Sequence, residues 1–74
     1  MARPVKHSLT LQGHRTSVSL EAEFWDAFRK IARDQALPLN ALASQIDAKR
    51  DTDTGLASAI RLFVLSYYRD QLDD

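Results

Sequence analysis

The 74-residue sequence predicts a mainly α-helical domain that opens with a short β-strand. Residues 15–20, Arg-Thr-Ser-Val-Ser-Leu, place alternate side chains on opposite faces of an extended segment. From Glu21 onward, apolar side chains recur at the 3.6-residue spacing of a helix. Leu37-Pro38 then ends this helix, because the residue before a proline is disfavoured in the α conformation, and further helical segments follow.

The strand has two unlike faces. One face carries Thr16, Val18 and Leu20, and the other carries Arg15, Ser17 and Ser19. Because a single strand cannot satisfy its own backbone hydrogen bonds, it must pair with another strand. Two partners fit the sequence. Residues 8–11 could form a hairpin through the turn signal Gln12-Gly13, or the strand could pair with its copy in a second chain while Leu9 and Leu11 pack along the edge.

Three helices are predicted after the strand. The first spans about Glu21 to Gln35 and carries a wide apolar stripe of Phe24, Trp25, Phe28, Ile31 and Ala32. The second spans Leu39 to Lys49. The third runs from Gly55 or Leu56 to Gln71, with Asp53 or Thr54 as its N-cap. This third helix is apolar nearly all round, which predicts that it is buried between two subunits.

The composition excludes several classes of function. The chain has no cysteine, and its two histidines lack nearby carboxylates, so neither a metal site nor a cofactor is expected. No order of Ser, His and Asp suggests a catalytic triad, and two glycines cannot build a phosphate-cradling loop, so the protein is not expected to be an enzyme. The lack of a membrane-length apolar run and of a signal sequence predicts a cytoplasmic location without membrane contact.

Positive charge is concentrated at the N-terminus although the net charge is zero. Residues 1–20 contain Arg3, Lys6 and Arg15 with no acid, whereas residues 21–74 contain seven Lys and Arg against ten Asp and Glu, a balance of −3. Residues 1–7 are predicted to be a flexible basic arm, and residues 8–72 a single domain. A domain this small without disulfides usually needs a second copy for stability, which predicts a homodimer.

The segments Gly13–Glu21, Phe24–Phe28 and Ala59–Leu65 carry a family resemblance. Over roughly residues 5–70 the chain resembles the ribbon-helix-helix superfamily of the Arc and Met repressors, and in particular small bacterial ribbon-helix-helix domain proteins. The resemblance implies a ribbon-helix-helix fold with an additional C-terminal helix in an intertwined homodimer. It also implies a sequence-specific transcription regulator, such as a repressor, that inserts a two-stranded β-ribbon into the major groove of double-stranded DNA.

The resemblance also implies the DNA contacts. The outward side chains Arg15, Ser17 and Ser19 would touch base edges, where arginine can pair with guanine, and two serines predict weak base discrimination. Arg3 and Lys6 would follow the phosphate backbone. A phosphate would bind at the N-terminus of the second helix, at Leu39 and Asn40, although Pro38 stands where a capping Ser or Thr is expected.

Two alternatives remain open at this point. Residues 54–61, Thr-Gly-Leu-Ala-Ser-Ala-Ile-Arg, also resemble the family's second helix, which would make Leu39–Lys49 an inserted element. The usual loop length favours Leu39–Lys49 as the second helix. For the function, the alternative is a protein-interaction or dimerisation module of the same fold, antitoxin-like or an accessory protein of a mobile element, whose partner is another protein.

Overall fold

A computed structural model describes residues 3–72, which form a β-hairpin followed by three helices. The hairpin consists of β1 (Val5–Leu11) and β2 (His14–Leu20). The helices are α1 (Ala22–Asp34), α2 (Leu39–Lys49) and α3 (Leu56–Leu72). This confirms the predicted mainly α-helical class, the order of the elements and the additional C-terminal helix. No helix within the described residues has the length and hydropathy needed to span a membrane.

The hairpin is closed by a two-residue turn at Gln12-Gly13. Both residues have positive φ, 51° and 85°, as a type I′ turn requires. β1 and β2 pair antiparallel from Val5–Leu20 to Leu11–His14. Of the two pairings that the sequence allowed, the strand therefore adopts the hairpin within its own chain. β1 begins at Val5, so residues 5–7, which the sequence analysis places in the N-terminal arm, are paired in the hairpin.

The core lies between the apolar face of the hairpin and the three helices. α2 packs against β1, α3 packs against β2, and α1 packs against both other helices. The buried side chains are Leu9, Val18, Leu20, Phe28, Ile31, Ala32, Leu42, Ala43, Ile46, Ile60 and Val64. Each element thus contributes to one core. Trp25 lies at its margin, where its ring stacks on His7 with a centroid distance of 3.8 Å and an interplanar angle of 5°.

A Schellman motif ends α1 and sets the direction of α2. The Leu37 N–H donates to the Ala32 carbonyl at 2.9 Å, and the Ala36 N–H donates to the Arg33 carbonyl at 3.0 Å. Ala36 has a φ of 55°, in the left-handed region that this motif requires. Pro38 then occupies the N-cap position of α2. The short connection predicted from Leu37-Pro38 is therefore present.

One prediction about α3 needs correction. Its N-cap is Gly55 and not Asp53 or Thr54, because the Gly55 carbonyl accepts the first helical hydrogen bond, from the Ala59 N–H at 3.0 Å. The Thr54 N–H instead donates to the Asp51 carbonyl in a separate turn. Within one chain, α3 leaves Leu62 and Leu65 58% and 50% exposed, so its burial between two subunits stays a prediction.

Candidate nucleic-acid interface

One face of the hairpin is polar along its whole length. Residues directly opposite each other in an antiparallel pair project to the same side, and on this side the pairs are Lys6–Ser19, Ser8–Ser17 and Thr10–Arg15. All six residues are exposed. The other side of the hairpin carries the buried Leu9, Val18 and Leu20. We refer to the six exposed residues as the polar ribbon face.

The polar ribbon face has two cations and no acid. Lys6 and Arg15 lie in its first and last pairs, with serine and threonine hydroxyls at the other four positions. Hydroxyl groups both donate and accept hydrogen bonds, whereas the guanidinium and ammonium groups only donate. The face can therefore bind a negatively charged polymer that presents hydrogen-bonding groups of both kinds.

The nearest carboxylate in sequence, Glu21, is neutralised by a salt bridge to α3. Arg61 donates from Nε to Oε1 at 2.9 Å and from Nη2 to Oε2 at 3.2 Å. Arg61 Nη2 also lies 3.5 Å from the carbonyl oxygen of Ser19. The hydrogen bond that Glu21 accepts from Arg61 is the largest cause that lowers its pKa, followed by a hydrogen bond that it accepts from its own backbone. The junction between β2 and α1 is thus fixed to α3 without adding net negative charge.

The N-terminus of α2 lies beside the turn end of β1. The Asn40 Oδ1 atom accepts a hydrogen bond from the Thr10 backbone N–H at 3.0 Å. The first helical bond joins the Leu42 N–H to the Pro38 carbonyl at 3.1 Å, so the N–H groups of residues 39–41 precede the helical ladder. Pro38 provides no side-chain cap. Leu39 is half-buried, so the group it can offer to a ligand is its backbone N–H.

The structure brings together most of the site residues that the sequence predicts. Lys6, Arg15, Ser17 and Ser19 share the polar ribbon face. Leu39 and Asn40 border it, and the exposed Arg3 precedes β1 by two residues. Sequence reasoning missed Ser8 and Thr10, although the two-residue turn at Gln12-Gly13 fixes the register that places them there. It also missed the pair of Glu21 and Arg61, which are 40 positions apart and carry no local signal.

A family model described as a ribbon-helix-helix domain matches residues 4–68. The chain belongs to the ribbon-helix-helix family. This confirms the resemblance found in the sequence, and the family is one of DNA-binding regulators. Neither the search of curated proteins nor the search of solved structures gives a match. The family match includes the hairpin, α1, α2 and most of α3, so both candidates for the family's second helix lie within it.

In this ribbon-helix-helix domain the hairpin carries the polar ribbon face on one side, and the three helices pack against its other side. Asn40 contacts the outer edge of β1 at its turn end, and Arg61 contacts the outer edge of β2 at its other end. The polar ribbon face itself carries none of the buried side chains. The ribbon-helix-helix domain therefore presents this face to solvent on a scaffold that constrains both strands.

Proposed function

We propose that the protein is a homodimeric, sequence-specific DNA-binding protein that regulates transcription by inserting its β-ribbon into the major groove. The observation that carries this proposal is the acid-free polar ribbon face, with Arg15, Ser17 and Ser19 exposed on β2. The major groove admits a two-stranded β-ribbon, and arginine can donate two hydrogen bonds to guanine. A repressor acting in the cytoplasm on a near-palindromic operator fits this arrangement.

Phosphate contacts would orient the ribbon in the groove. Lys6 lies on the polar ribbon face and Arg3 precedes β1, which supports assigning both side chains to the DNA backbone. The N–H groups at Leu39 and Asn40 lie beside the ribbon, where the positive end of the α2 dipole favours an anion. Because Asn40 Oδ1 already accepts from the Thr10 N–H, we assign the phosphate to backbone N–H groups and not to that oxygen.

The exposed apolar side chains of α3 support a homodimer. Leu62 and Leu65 are half or more exposed in the single chain, while the same helix buries Ile60 and Val64. A second copy packed on this stripe would remove the leucines from water, at about 25 cal/mol per Å² of apolar surface. Light scattering at micromolar concentration should give twice the monomer mass, and Leu62→Glu should give the monomer mass. A monomeric wild-type protein would refute the homodimer.

Replacing Arg15 tests the base contact. Arg15→Ala should weaken binding to the preferred DNA site by about 1–3 kcal/mol, the usual discrimination of a bidentate base contact. Arg69→Ala is the matched control, because it removes the same charge from an exposed position in the last turn of α3. Fluorescence anisotropy with specific and random duplexes measures both variants. If Arg15→Ala keeps the wild-type ratio of affinities for the specific and random duplexes, Arg15 does not contact the bases.

A second candidate function is a protein-interaction module of the same fold, with an antitoxin-like or mobile-element accessory role. It is supported by a groove of about 360 Å³ between α2 and α3, whose apolar lining includes Leu42, Ile46, Leu62 and Phe63. Co-purification separates the two candidates. Recovery of nucleic acid without a stoichiometric protein favours the DNA-binding function, whereas recovery of one stoichiometric protein without nucleic acid favours the interaction module.

A further inference from the structure

The hairpin uses the inner edge of each strand for pairing and leaves backbone groups on both outer edges. Along an antiparallel ladder, successive residues direct their backbone N–H and carbonyl groups alternately towards and away from the partner strand. The Thr10 N–H points away from β2, because it donates to Asn40 Oδ1 at 3.0 Å. By the same alternation, the outer edge of β2 carries the backbone groups of Arg15, Ser17 and Ser19.

This outer edge of β2 is open to a second copy of the chain. Within residues 3–72, one side-chain hydrogen bond reaches it, from Arg61 Nη2 to the Ser19 carbonyl at 3.5 Å. An exposed strand edge is a template for pairing with another chain. In the proposed homodimer, a two-fold axis can therefore place β2 beside β2 of the second copy. The sheet then has four strands, with the two β2 strands at its centre and a β1 strand at each rim.

We propose that β1 is the strand that contacts the DNA phosphates, through the hydroxyl groups of Ser8 and Thr10 and the ammonium group of Lys6. The outward side chains of β2 then face the bases. This proposal rests on the proposed function, and it adds the Ser8 and Thr10 hydroxyls to the contacts with the DNA backbone. All three β1 side chains are exposed on the polar ribbon face, which carries no acid.

The width of the major groove places β1 over the sugar–phosphate backbone. Neighbouring strands lie about 4.8 Å apart, so the two central β2 strands fit within a groove about 12 Å wide. The two β1 strands of the dimer are separated by three such spacings, about 14 Å. This distance exceeds the width of the groove. Each β1 strand therefore lies at a rim of the groove, beside the phosphates and not above the base edges.

The side chains of β1 are suited to phosphate. Serine and threonine hydroxyls donate to phosphate oxygens, and a lysine ammonium adds a positive charge. β1 contains no Asp or Glu that would repel the DNA. The hydrogen bond to Asn40 engages the Thr10 backbone N–H and not its hydroxyl, which leaves the hydroxyl for the DNA. The same bond joins the turn end of β1 to α2, so Thr10 is held in place before DNA binds.

The test compares two threonines on opposite faces of the hairpin. Thr10→Val and Thr16→Val each replace a hydroxyl by a methyl group, and both positions are exposed. Thr16 pairs with Leu9 and therefore lies on the side opposite the polar ribbon face. The valine side chain keeps the strand preference and leaves the Thr10 N–H bonded to Asn40. Ser8→Ala is measured alongside, and circular dichroism melting shows whether each variant folds.

Binding is measured by fluorescence anisotropy on a duplex selected from a random library by the wild-type protein and on a scrambled duplex. Thr10→Val and Ser8→Ala should each weaken binding to both duplexes by the same factor, because a phosphate contact carries no sequence information. The factor should be about ten or more, since each dimer loses two hydrogen bonds worth about three- to tenfold each. Thr16→Val should bind both duplexes as the wild type does.

Methylphosphonate linkages in the selected duplex locate the contacts. Each such linkage replaces one charged phosphate oxygen by a methyl group, so it removes a hydrogen-bond acceptor at one position. At a phosphate that Thr10 contacts, this replacement should weaken binding of the wild-type protein more than binding of Thr10→Val, in which the hydrogen bond is already lost. Lys6→Gln should reduce the magnitude of the salt slope by about 1.8, from two lysines per dimer at about 0.9 each.

Two results would overturn the proposal while the proposed function stands. If folded Thr10→Val and Ser8→Ala bind both duplexes as the wild type does, these β1 hydroxyls do not contact the DNA. If the two variants lose affinity for the selected duplex alone, their hydroxyls read bases and not phosphates. If the wild-type protein binds no duplex even at low salt, the proposed function fails, and the role of β1 fails with it.

Discussion

Ala36 stands where the fold favours glycine, so replacing it should stabilise the protein. In the Schellman motif that ends α1, this residue has a φ of 55°. A left-handed conformation costs an alanine roughly 1–2 kcal/mol, whereas introducing glycine costs roughly 0.4–1 kcal/mol through the greater freedom of the unfolded chain. Ala36 is exposed, so removing its methyl group sacrifices little packing. We expect Ala36→Gly to raise the free energy of unfolding by about 0.8 kcal/mol.

Thermal and urea unfolding at one fixed protein concentration measure this effect. The fixed concentration matters because dimerisation makes the melting temperature depend on it. For a domain of this size, the expected gain corresponds to an increase in Tm of about 3–6 °C. Ala48→Gly is the control: Ala48 is an exposed residue in the last turn of α2, where glycine should destabilise by about 0.5 kcal/mol. If Ala36→Gly lowered the stability as the control does, the assignment of the left-handed position would be refuted.

Three further predictions concern the packing of the hairpin. Leu20 is fully buried, and Leu20→Ala should cost about 2–5 kcal/mol in urea unfolding; a loss below about 1 kcal/mol would contradict its place in the core. Glu21 has a lowered folded-state pKa, so its stabilisation is present above its ordinary pKa of 4.5 and is lost as the pH falls through the folded value. The Tm difference between wild type and Glu21→Gln should therefore shrink from pH 7 to pH 3, and a constant difference would exclude the salt bridge as its cause. Asn40→Ala should speed amide exchange at Thr10, whereas Gln45→Ala, at an exposed position of α2, should not; equal exchange in both would show that Asn40 does not hold this edge.

The sequence predicts the helices well because each has a strong local signal. The bounds of α2 are those expected from Leu37-Pro38 and the apolar spacing that follows. The start of α3 was less clear, because residues 51–54 contain several good capping side chains and the chain uses the Gly55 carbonyl instead. Local preference identifies such a segment but cannot choose among neighbouring caps, since tertiary packing decides where the helix begins.

The pairing of the strand required information from further along the chain. The alternation of residues 15–20 indicates which face is polar but not which strand pairs with it. In the structure, the type I′ turn pairs this strand with β1. Asn40 contacts the outer edge of β1, and Arg61 contacts the outer edge of β2. These contacts join positions that are 30 and 42 residues apart, so they leave no periodic pattern in the sequence. Because β2 pairs with β1 of its own chain, the need for a strand partner no longer argues for a dimer. The exposed leucines of α3 remain as the structural support for the homodimer.

The most direct test of the central claim is a salt titration of DNA binding, with the selected duplex and a scrambled duplex compared by fluorescence anisotropy. If Arg3, Lys6 and Arg15 of both copies in a dimer contact phosphates or lie in the groove, the logarithm of affinity should fall with the logarithm of salt with a slope of about −5. The selected duplex should also bind more tightly than the scrambled one, by about 1–3 kcal/mol for each base contact that Arg15 makes. Equal affinity for both duplexes, or no binding at low salt, would contradict sequence-specific reading by the ribbon.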